Sequence, residues 1–524
     1  MTDPLTLRPQ HPPRTPTADL AALLGIPSPD PGAVVTGVTL SSQRVRPGDL
    51  YAALPGARAH GAEYAAAALD AGAVAVLTDA AGAGRLPDGV PVLVVERPRE
   101  VLGRVAARVY GEPARALRMI GVTGTQGKTT TTRLLEGGLQ ASGSRAAVIG
   151  TVGTRVDGVD LETALTTPEA PDLHGLFAVM RERGVDGCAM EVSSHALVLG
   201  RVDGVVFDVA VFLNLGRDHL DFHDTVEEYY AAKASLFTPD RARRALVNAD
   251  DEHGRRLVEE VRARGDLPVR TFSATGADAD WRAEDVVLEP GGSRFTLAGP
   301  DGVRVAASVP LPGDFNVANA LAALAAAAEA GYGPATVAAG LARMPGVPGR
   351  LERVDAGQDF EVVVDYAHKP DAVEAALRTL RPLTTGRLLV VLGAGGDRDP
   401  GKRRIMGEIA ARLADVLVVT DDNPRTEDPA AIRAELLAGA AEAAGGHAAE
   451  VLEVGDRRAA VAAALARARA GDIVLVAGKG HETGQETQGV VHPFDDRQVV
   501  RELLGSMGKN AEVGEHRRTD ERDR

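Results

Sequence analysis

The chain has one cysteine, Cys188, in 524 residues. A lone thiol excludes an intramolecular disulfide and any metal site built on cysteine pairs. It stands in the apolar run 186–192, where a buried structural thiol is expected rather than a reactive one. Aromatic residues make up only 3%, so Ala, Val and Leu must fill the cores. No window of about 18 uninterrupted apolar residues occurs, so no membrane span is expected. The N-terminus, MTDPLTLRPQHPPRTP, has no apolar signal core. The formal net charge is −15 and the basic residues form no long cluster, which argues against nucleic acid as a partner. A small anionic substrate held by a few arginines stays open. Together these absences point to a reducing, cytoplasmic setting, and a monomer is expected.

Lysine is also scarce, with six lysines against 52 arginines. Where Arg is written wherever either cation serves, a retained lysine marks a place that needs a compact ammonium or an amine able to lose its proton. Five of the six, Lys128, Lys233, Lys369, Lys402 and Lys479, fall in the motifs below, and Lys509 lies in the polar tail.

The length suits about three domains. Residues 1–17 are Pro-rich and expected to be disordered. Residues 18–115 read as a small N-terminal α/β unit. Residues 116–345 alternate strands and helices, which argues for a mostly parallel sheet covered on both faces. PGVPGR at 345–350 marks a linker. Residues 346–507 repeat the alternation as a smaller Rossmann-like unit, and 508–524 form a polar tail read as disordered. The fold class is therefore α/β, with three domains.

The segment Gly121 to Thr130, GVTGTQGKTT, follows an apolar strand and opens a helix. Glycines let backbone N–H groups turn toward phosphate oxygens, and a helix N-terminus adds positive potential. Lys128 would reach the terminal phosphates of ATP and Thr129 would ligand Mg²⁺. The strict pattern asks for Gly where Val122 stands. Downstream, Glu191 ends a strand, at the ligand-binding edge of a parallel sheet, and suits a metal-binding carboxylate. Asn214 and His219 follow the next strand. Lys233 sits on a helix among apolar neighbours.

From residue 123 to 482 the motifs TGTQGKTT, LTTPE, MEVSSHALVLGR, NLGRDHLDFH, EEYYAAKASLF, LPGDFNVANALAA, PGRLE, DYAHKPD, GAGGDRDPGKR, DNPRTEDP and AGKGHE occur in this order. The set resembles the Mur ligases. The resemblance implies an N-terminal domain for a UDP moiety, a central P-loop ATPase domain and a C-terminal Rossmann-like domain for the incoming amino acid. It implies ATP at Gly124, Thr125, Gln126, Gly127, Lys128, Thr129 and Thr130, with further nucleotide contacts at Asn316, Arg350, Asp365 and His368. Ser42, Thr166, Thr167, Ser193 and Arg201 match contacts to a UDP-linked muramoyl dipeptide. Thr129, Glu191, His219 and Lys233 match the Mg²⁺ set, with Lys233 carrying a CO₂-derived carbamate. Lys128, Lys233 and His219 are the expected catalytic residues.

The resemblance also implies diaminopimelate as the amine. Asp422, Asn423, Pro424 and Arg425 form the motif tied to that substrate, with Arg398, Gly478 and Glu482 as further contacts. Arg425 is expected to grip the second carboxylate bidentately, and Glu482 suits an ammonium. The expected activity is ATP-dependent amide formation through an acyl phosphate. A sister ligase using lysine or a folate, and a nucleotide-binding regulator without catalysis, are the alternatives. The chain departs from the family at Ser41-Ser42-Gln43, Gln126, Leu165 and Leu199. The meso and LL isomers of diaminopimelate are not distinguished.

Overall fold

The computed structural model describes residues 7–30, 32–161, 163–216, 218, 222–289, 291–443 and 450–507. Its described residues form two compact units: Met1–Asp285, Phe295–Ala307 and Ala318–Met344 in the first, and Val286–Arg294, Ser308–Val317 and Pro345–Arg524 in the second. The first unit ends at Met344 and the second resumes at Pro345. The architecture is a three-domain α/β fold, in which the N-terminal and central domains share the first unit.

The N-terminal domain is a four-stranded parallel sheet in the order Gly37–Thr39, Asp49–Ala52, Ala75–Thr78 and Val92–Val94. Leu20, Leu50, Leu77 and Leu93 close one face against helix Pro98–Val109. The expected disorder of residues 1–17 does not hold from Leu7 onward. Arg8 is buried and donates to both oxygens of Asp49 at 2.7 Å. The backbone amides of Gln10 and His11 donate to Glu182, and Thr15–Pro16 pairs antiparallel with Val34–Val35. Polar anchors thus hold a Pro-rich segment that has no periodic pattern of its own. The tail 508–524 and residues 1–6 lie outside the described residues.

The central domain carries a sheet of eleven strands among the described residues. Its middle is parallel, in the order Ala146–Gly150, Gly187–Glu191, Arg118–Thr123, Val209–Phe212, Ala245–Asn248 and Val269–Ser273. These strands are buried on both faces, which explains their continuous apolar runs. Met119, Ile149, Met190, Phe212 and Phe177 share one core. Cys188 belongs to that core, and burial pushes its thiol pKa up. The edge is not parallel: Gly153–Val156 and Val159–Leu161 turn back antiparallel.

The second unit holds a six-stranded sheet in which Glu361–Asp365, Ile473–Ala477, Leu388–Leu392, Val416–Val419 and Glu450–Glu453 run parallel. Along Leu388–Leu392, alternate residues enter two cores: Leu388, Val390 and Leu392 face one, Leu389 and Val391 the other. That is the period-2 signature of a sheet covered on both sides. Beneath it Arg457 and Asp496, both 0% exposed, form a bidentate pair at 2.7 and 2.8 Å.

Candidate active site

In a parallel sheet the carboxyl ends of neighbouring strands lie side by side. In the central domain this brings together the segments leaving the sheet at Gly150, Glu191, Thr123 and Phe212. Gly121 to Thr123 belong to the strand, and Val122 is fully buried in it. The loop proper is therefore Gly124 to Gly127, and the mismatch with the strict pattern falls outside it. Gly127 has φ +86°, and a Cβ there would overlap Asn319 Oδ1, so both backbone and space require glycine. Helix Lys128–Ala141 starts immediately after.

The loop is held from outside by Asn214. Its Oδ1 accepts from the amides of Thr125 (3.0 Å) and Gln126 (2.9 Å), and its Nδ2 donates to Gln126 O (3.2 Å). Lys128 Nζ donates to Gly124 O at 2.7 Å and Thr125 O at 3.1 Å. Lys233, on helix Val226–Ala234, donates to the same Gly124 oxygen at 2.9 Å. It is 1% exposed, and its Nζ lies 4.4 Å from the centre of the Tyr229 ring. A buried cation whose hydrogen bond goes to a neutral carbonyl is costly. Burial holds the Lys233 ammonium pKa well below the ordinary lysine range, the nearby Lys128 charge lowers it further, and Asp218 partly opposes them.

Glu191 is buried at the end of its strand. Thr129 Oγ1 donates to its Oε1 at 2.9 Å. A Cβ at Gly150 would overlap the same oxygen, so the neighbouring strand must end in glycine. Near it lie Thr166, Thr167, Ser193 and Arg201, four of the substrate-side residues expected from the sequence. Thr167 Oγ1 donates to Glu191 O at 2.8 Å and meets Ser193 Oγ at 3.4 Å. Ser193 caps the helix Ser194–Val198 through Ala196 N. Arg201 donates to Glu169 at 2.8 Å and to Thr167 O at 3.3 Å. Thr166 Oγ1 lies 3.1 Å from Thr151 Oγ1. Ser42 opens the short helical turn Ser42–Arg44, and Arg44 of that turn pairs with Asp172 on helix Ala170–Glu182, just past Thr167. His219 lies outside the described residues.

In the second unit, Asp365 spends both carboxylate oxygens on backbone amides, Leu351 at 2.7 Å and Ala367 at 2.8 Å. It thereby fixes Leu351, whose φ of +42° is strained for a branched residue. Arg350 stacks on the Tyr366 ring at 4.6 Å. His368 Nδ1 donates to Tyr366 O, and burial pushes its pKa down to about 4. Asn316 is buried and donates to Pro312 O at 2.8 Å.

The loops after Leu392, Val419 and Ala477 again meet at the carboxyl edge. They carry Arg398, Asp422 to Arg425, and Gly478 with Glu482. Arg425 differs from the expected open fork. Its Nη1 donates to Gly396 O at 2.6 Å and its Nε lies 3.4 Å from Glu486, leaving Nη2 as the nitrogen that no described residue engages. A Cβ at Gly395 would lie 3.0 Å from Arg425 Nη1 and 3.9 Å from Arg398 Cγ, so both arginines border one glycine. Asn423 Nδ2 donates to Glu482 at 3.0 Å, and its Oδ1 accepts from Lys479 Nζ at 2.9 Å. Lys479 is fully buried and also reaches Glu482 and Asp422. Gly478, with φ +121°, begins the turn that carries it. Asn214 and Lys479 carry contacts that motif reading left without a role. The scarcity of lysine was the available signal for Lys479.

Comparison with known proteins gives three family matches in chain order: "Mur ligase family, catalytic domain" at residues 34–110, "Mur ligase middle domain" at 122–327, and "Mur ligase, glutamate ligase domain" at 349–480. The chain is similar to the UDP-N-acetylmuramoyl-L-alanyl-D-glutamate–2,6-diaminopimelate ligase of Streptomyces avermitilis, 58% identical over 96% of this chain and 99% of that one. It is also similar to the ligase of the same name from Corynebacterium efficiens, 52% identical over 91% of each. A solved structure of a ligase of that name superposes with a TM-score of 0.67 at 35% identity, covering 91% of this chain and 96% of the other. At 21% identity, a Thermotoga maritima ligase solved with ADP shares the fold, with a TM-score of 0.59.

Proposed function

The chain belongs to the Mur ligase family, and from that premise we propose that it joins diaminopimelate to UDP-N-acetylmuramoyl-L-alanyl-D-glutamate at the expense of ATP, a cytoplasmic step in making peptidoglycan precursor. The observation that carries the reading is the pairing of Lys128 and Lys233 on Gly124 O with the contact of Thr129, in the helix that follows the loop, to Glu191. The γ-carboxylate of the D-glutamyl residue attacks the γ-phosphorus of ATP, ADP leaves, and an acyl phosphate results. The amine of diaminopimelate then attacks the acyl carbon, loses a proton, and expels phosphate.

Phosphoryl transfer of this kind asks the protein for positioning and charge stabilisation. The amides from Gly127 to Thr130, at the helix start, cradle the phosphates, and Lys128, held by the loop carbonyls, supplies the cation for the terminal phosphate. Asn316, Arg350, Asp365 and His368 carry a nucleotide role by resemblance. For Asp365 the hydrogen bonds support a share in it through the backbone of Leu351, next to Arg350. Thr166, Thr167, Ser193, Arg201 and Ser42 orient the muramoyl dipeptide.

The donor set suits a magnesium ion. Thr129 and Glu191 present hard oxygen donors 2.9 Å apart. Among the described residues no group of three or more His, Cys, Asp or Glu gathers for a metal, and the reading adds one further anionic ligand to this pair. Lys233, buried and tuned toward the neutral amine, suits a carbamate that supplies it. His219 joins the set by resemblance. When bound, the ion offsets the charge on the transferring phosphoryl group.

For the amine, Arg425 Nη2 and Arg398 offer guanidinium nitrogens to the second carboxylate, so two arginines share the task expected of one. Glu482, steadied by Asn423 and Lys479, receives an ammonium. The test is isotope transfer. With ¹⁸O in the γ-carboxylate, one labelled oxygen should appear in released phosphate for each tripeptide formed. Tripeptide formed without label in phosphate would sink the acyl-phosphate route.

A further inference from the structure

Thr151, the first residue beyond strand Ala146–Gly150, touches both oxygens of the Glu191 carboxylate. Its amide donates to Oε1 at 2.8 Å and its hydroxyl to Oε2 at 3.1 Å. A hydroxyl has one proton to give. Since that proton goes to a carboxylate, which only accepts, the 3.1 Å contact between Thr151 Oγ1 and Thr166 Oγ1 has Thr166 as donor. The result is a directed chain from the Thr166 hydroxyl through the Thr151 hydroxyl to Glu191.

The turn bearing Thr151 is itself fixed at a cost. Arg133, one turn into the helix that succeeds the phosphate loop, is 4% exposed and donates to Val152 O at 2.7 Å and Gly153 O at 3.3 Å. Its Nη1 is buried without a hydrogen-bond partner. Burying a guanidinium with one nitrogen unbonded costs stability, and its hydrogen bonds here go to two carbonyls of this one turn. Gly150 removes the side chain that would displace the carboxylate.

We propose that Thr151 is a positioning residue that sets the Glu191 carboxylate for its ion and ties it to the substrate-side hydroxyl of Thr166, with Arg133 holding the turn. The inference rests on the reading of Glu191 as a magnesium ligand. Partners that orient a metal-binding side chain typically contribute about 10–100-fold to metal affinity.

The test uses the full chain, with Mn²⁺ as the spectroscopic probe, in the presence of ADP. Thr151→Val keeps shape and amide but deletes the hydroxyl, and should weaken Mn²⁺ binding about 10–100-fold, while raising KM for the UDP-dipeptide through Thr166. Thr151→Ser restores the hydroxyl and should restore both. Glu191→Gln separates the two claims: it should lose Mn²⁺ binding, and wild-type binding by it would end the metal reading whatever Thr151 does. Should Thr151→Val fail to fold, Thr151→Ala compared with Thr151→Ser reads the same hydroxyl. With Glu191→Gln impaired, Mn²⁺ affinity unchanged on deleting the hydroxyl, or a loss that Thr151→Ser does not recover, would overturn the proposal.

Discussion

Replacing Lys233 tests the chemistry of the site. Its Nζ and that of Lys128 bond the same carbonyl oxygen, at 2.9 and 2.7 Å. Two unit charges about 4 Å apart interact by roughly 4 kcal/mol at an effective dielectric of 20. As an ammonium, Lys233 opposes Lys128 by an energy of that order; as the proposed carbamate it would attract it, and would add an oxygen donor to those of Thr129 and Glu191. Lys233→Arg keeps the opposing charge and cannot take up CO₂, whereas Lys233→Ala leaves room for a small acid. Losing a preorganised charge from such a site costs about 2.7–4 kcal/mol, or 10²–10³ in kcat. Both variants should fall by at least that much in substrate-dependent ADP release. Acetate or propionate should rescue Ala in part and Arg not at all. Wild-type protein in ¹³C-bicarbonate should show a carbamate resonance that both variants lack. Lys233→Arg retaining activity within about tenfold of wild type, a barrier change of only about 1.4 kcal/mol, would refute the carbamate.

Three further perturbations probe other parts of the fold. Arg425→Lys removes a planar cation that holds Gly396 O and is proposed to face the amine. The KM for diaminopimelate should rise about 10–100-fold, the worth of one charged hydrogen bond of about 1.5–3 kcal/mol, with kcat changed less; an unchanged KM would remove Arg425 from the site. Asp496→Ala leaves Arg457 buried and unpaired, and should destabilise the second unit by about 3–5 kcal/mol in denaturant melts; a loss below 1 kcal/mol, roughly the worth of a surface pair, would contradict the burial. His174 is buried, with its pKa pushed down to about 4 by desolvation, below the unfolded value of about 6.5. Between those values the unfolded chain holds a proton that the folded one lacks, so stability falls as pH drops through this window, by about 3 kcal/mol. His174→Asn should flatten that part of the pH dependence of melting, and an unaltered profile would count against it.

Much of the fold and site was legible in the sequence because parallel sheets write themselves plainly. Continuous apolar runs, a Gly-rich turn and a carboxylate at a strand end placed Glu191 and Lys128 on one edge, and the rarity of lysine singled out Lys233. The contacts that steady those groups carry no such mark. Thr151 and Arg133 act across a turn and a helix, and Asn214 folds back on a loop about 90 residues earlier in sequence, so neither period nor spacing announces them. The expected disorder failed from Leu7 onward for a related reason: the buried Arg8–Asp49 pair, the amide bonds to Glu182 and a short strand pairing outweigh a Pro-rich composition. Arg425 was recognised by type, but whether its fork was open depended on Gly396 and Glu486, which only the folded loop brings to it.

The most direct measurement gives the purified protein UDP-N-acetylmuramoyl-L-alanyl-D-glutamate and ATP, adds diaminopimelate isomers, lysine or a folate separately, and tracks ADP with the mass of the product. One ADP per UDP-tripeptide is expected with a diaminopimelate isomer, and little turnover with lysine or folate. Turnover with lysine equal to that with diaminopimelate, or no ADP release dependent on the UDP-dipeptide, would contradict the proposed ligase.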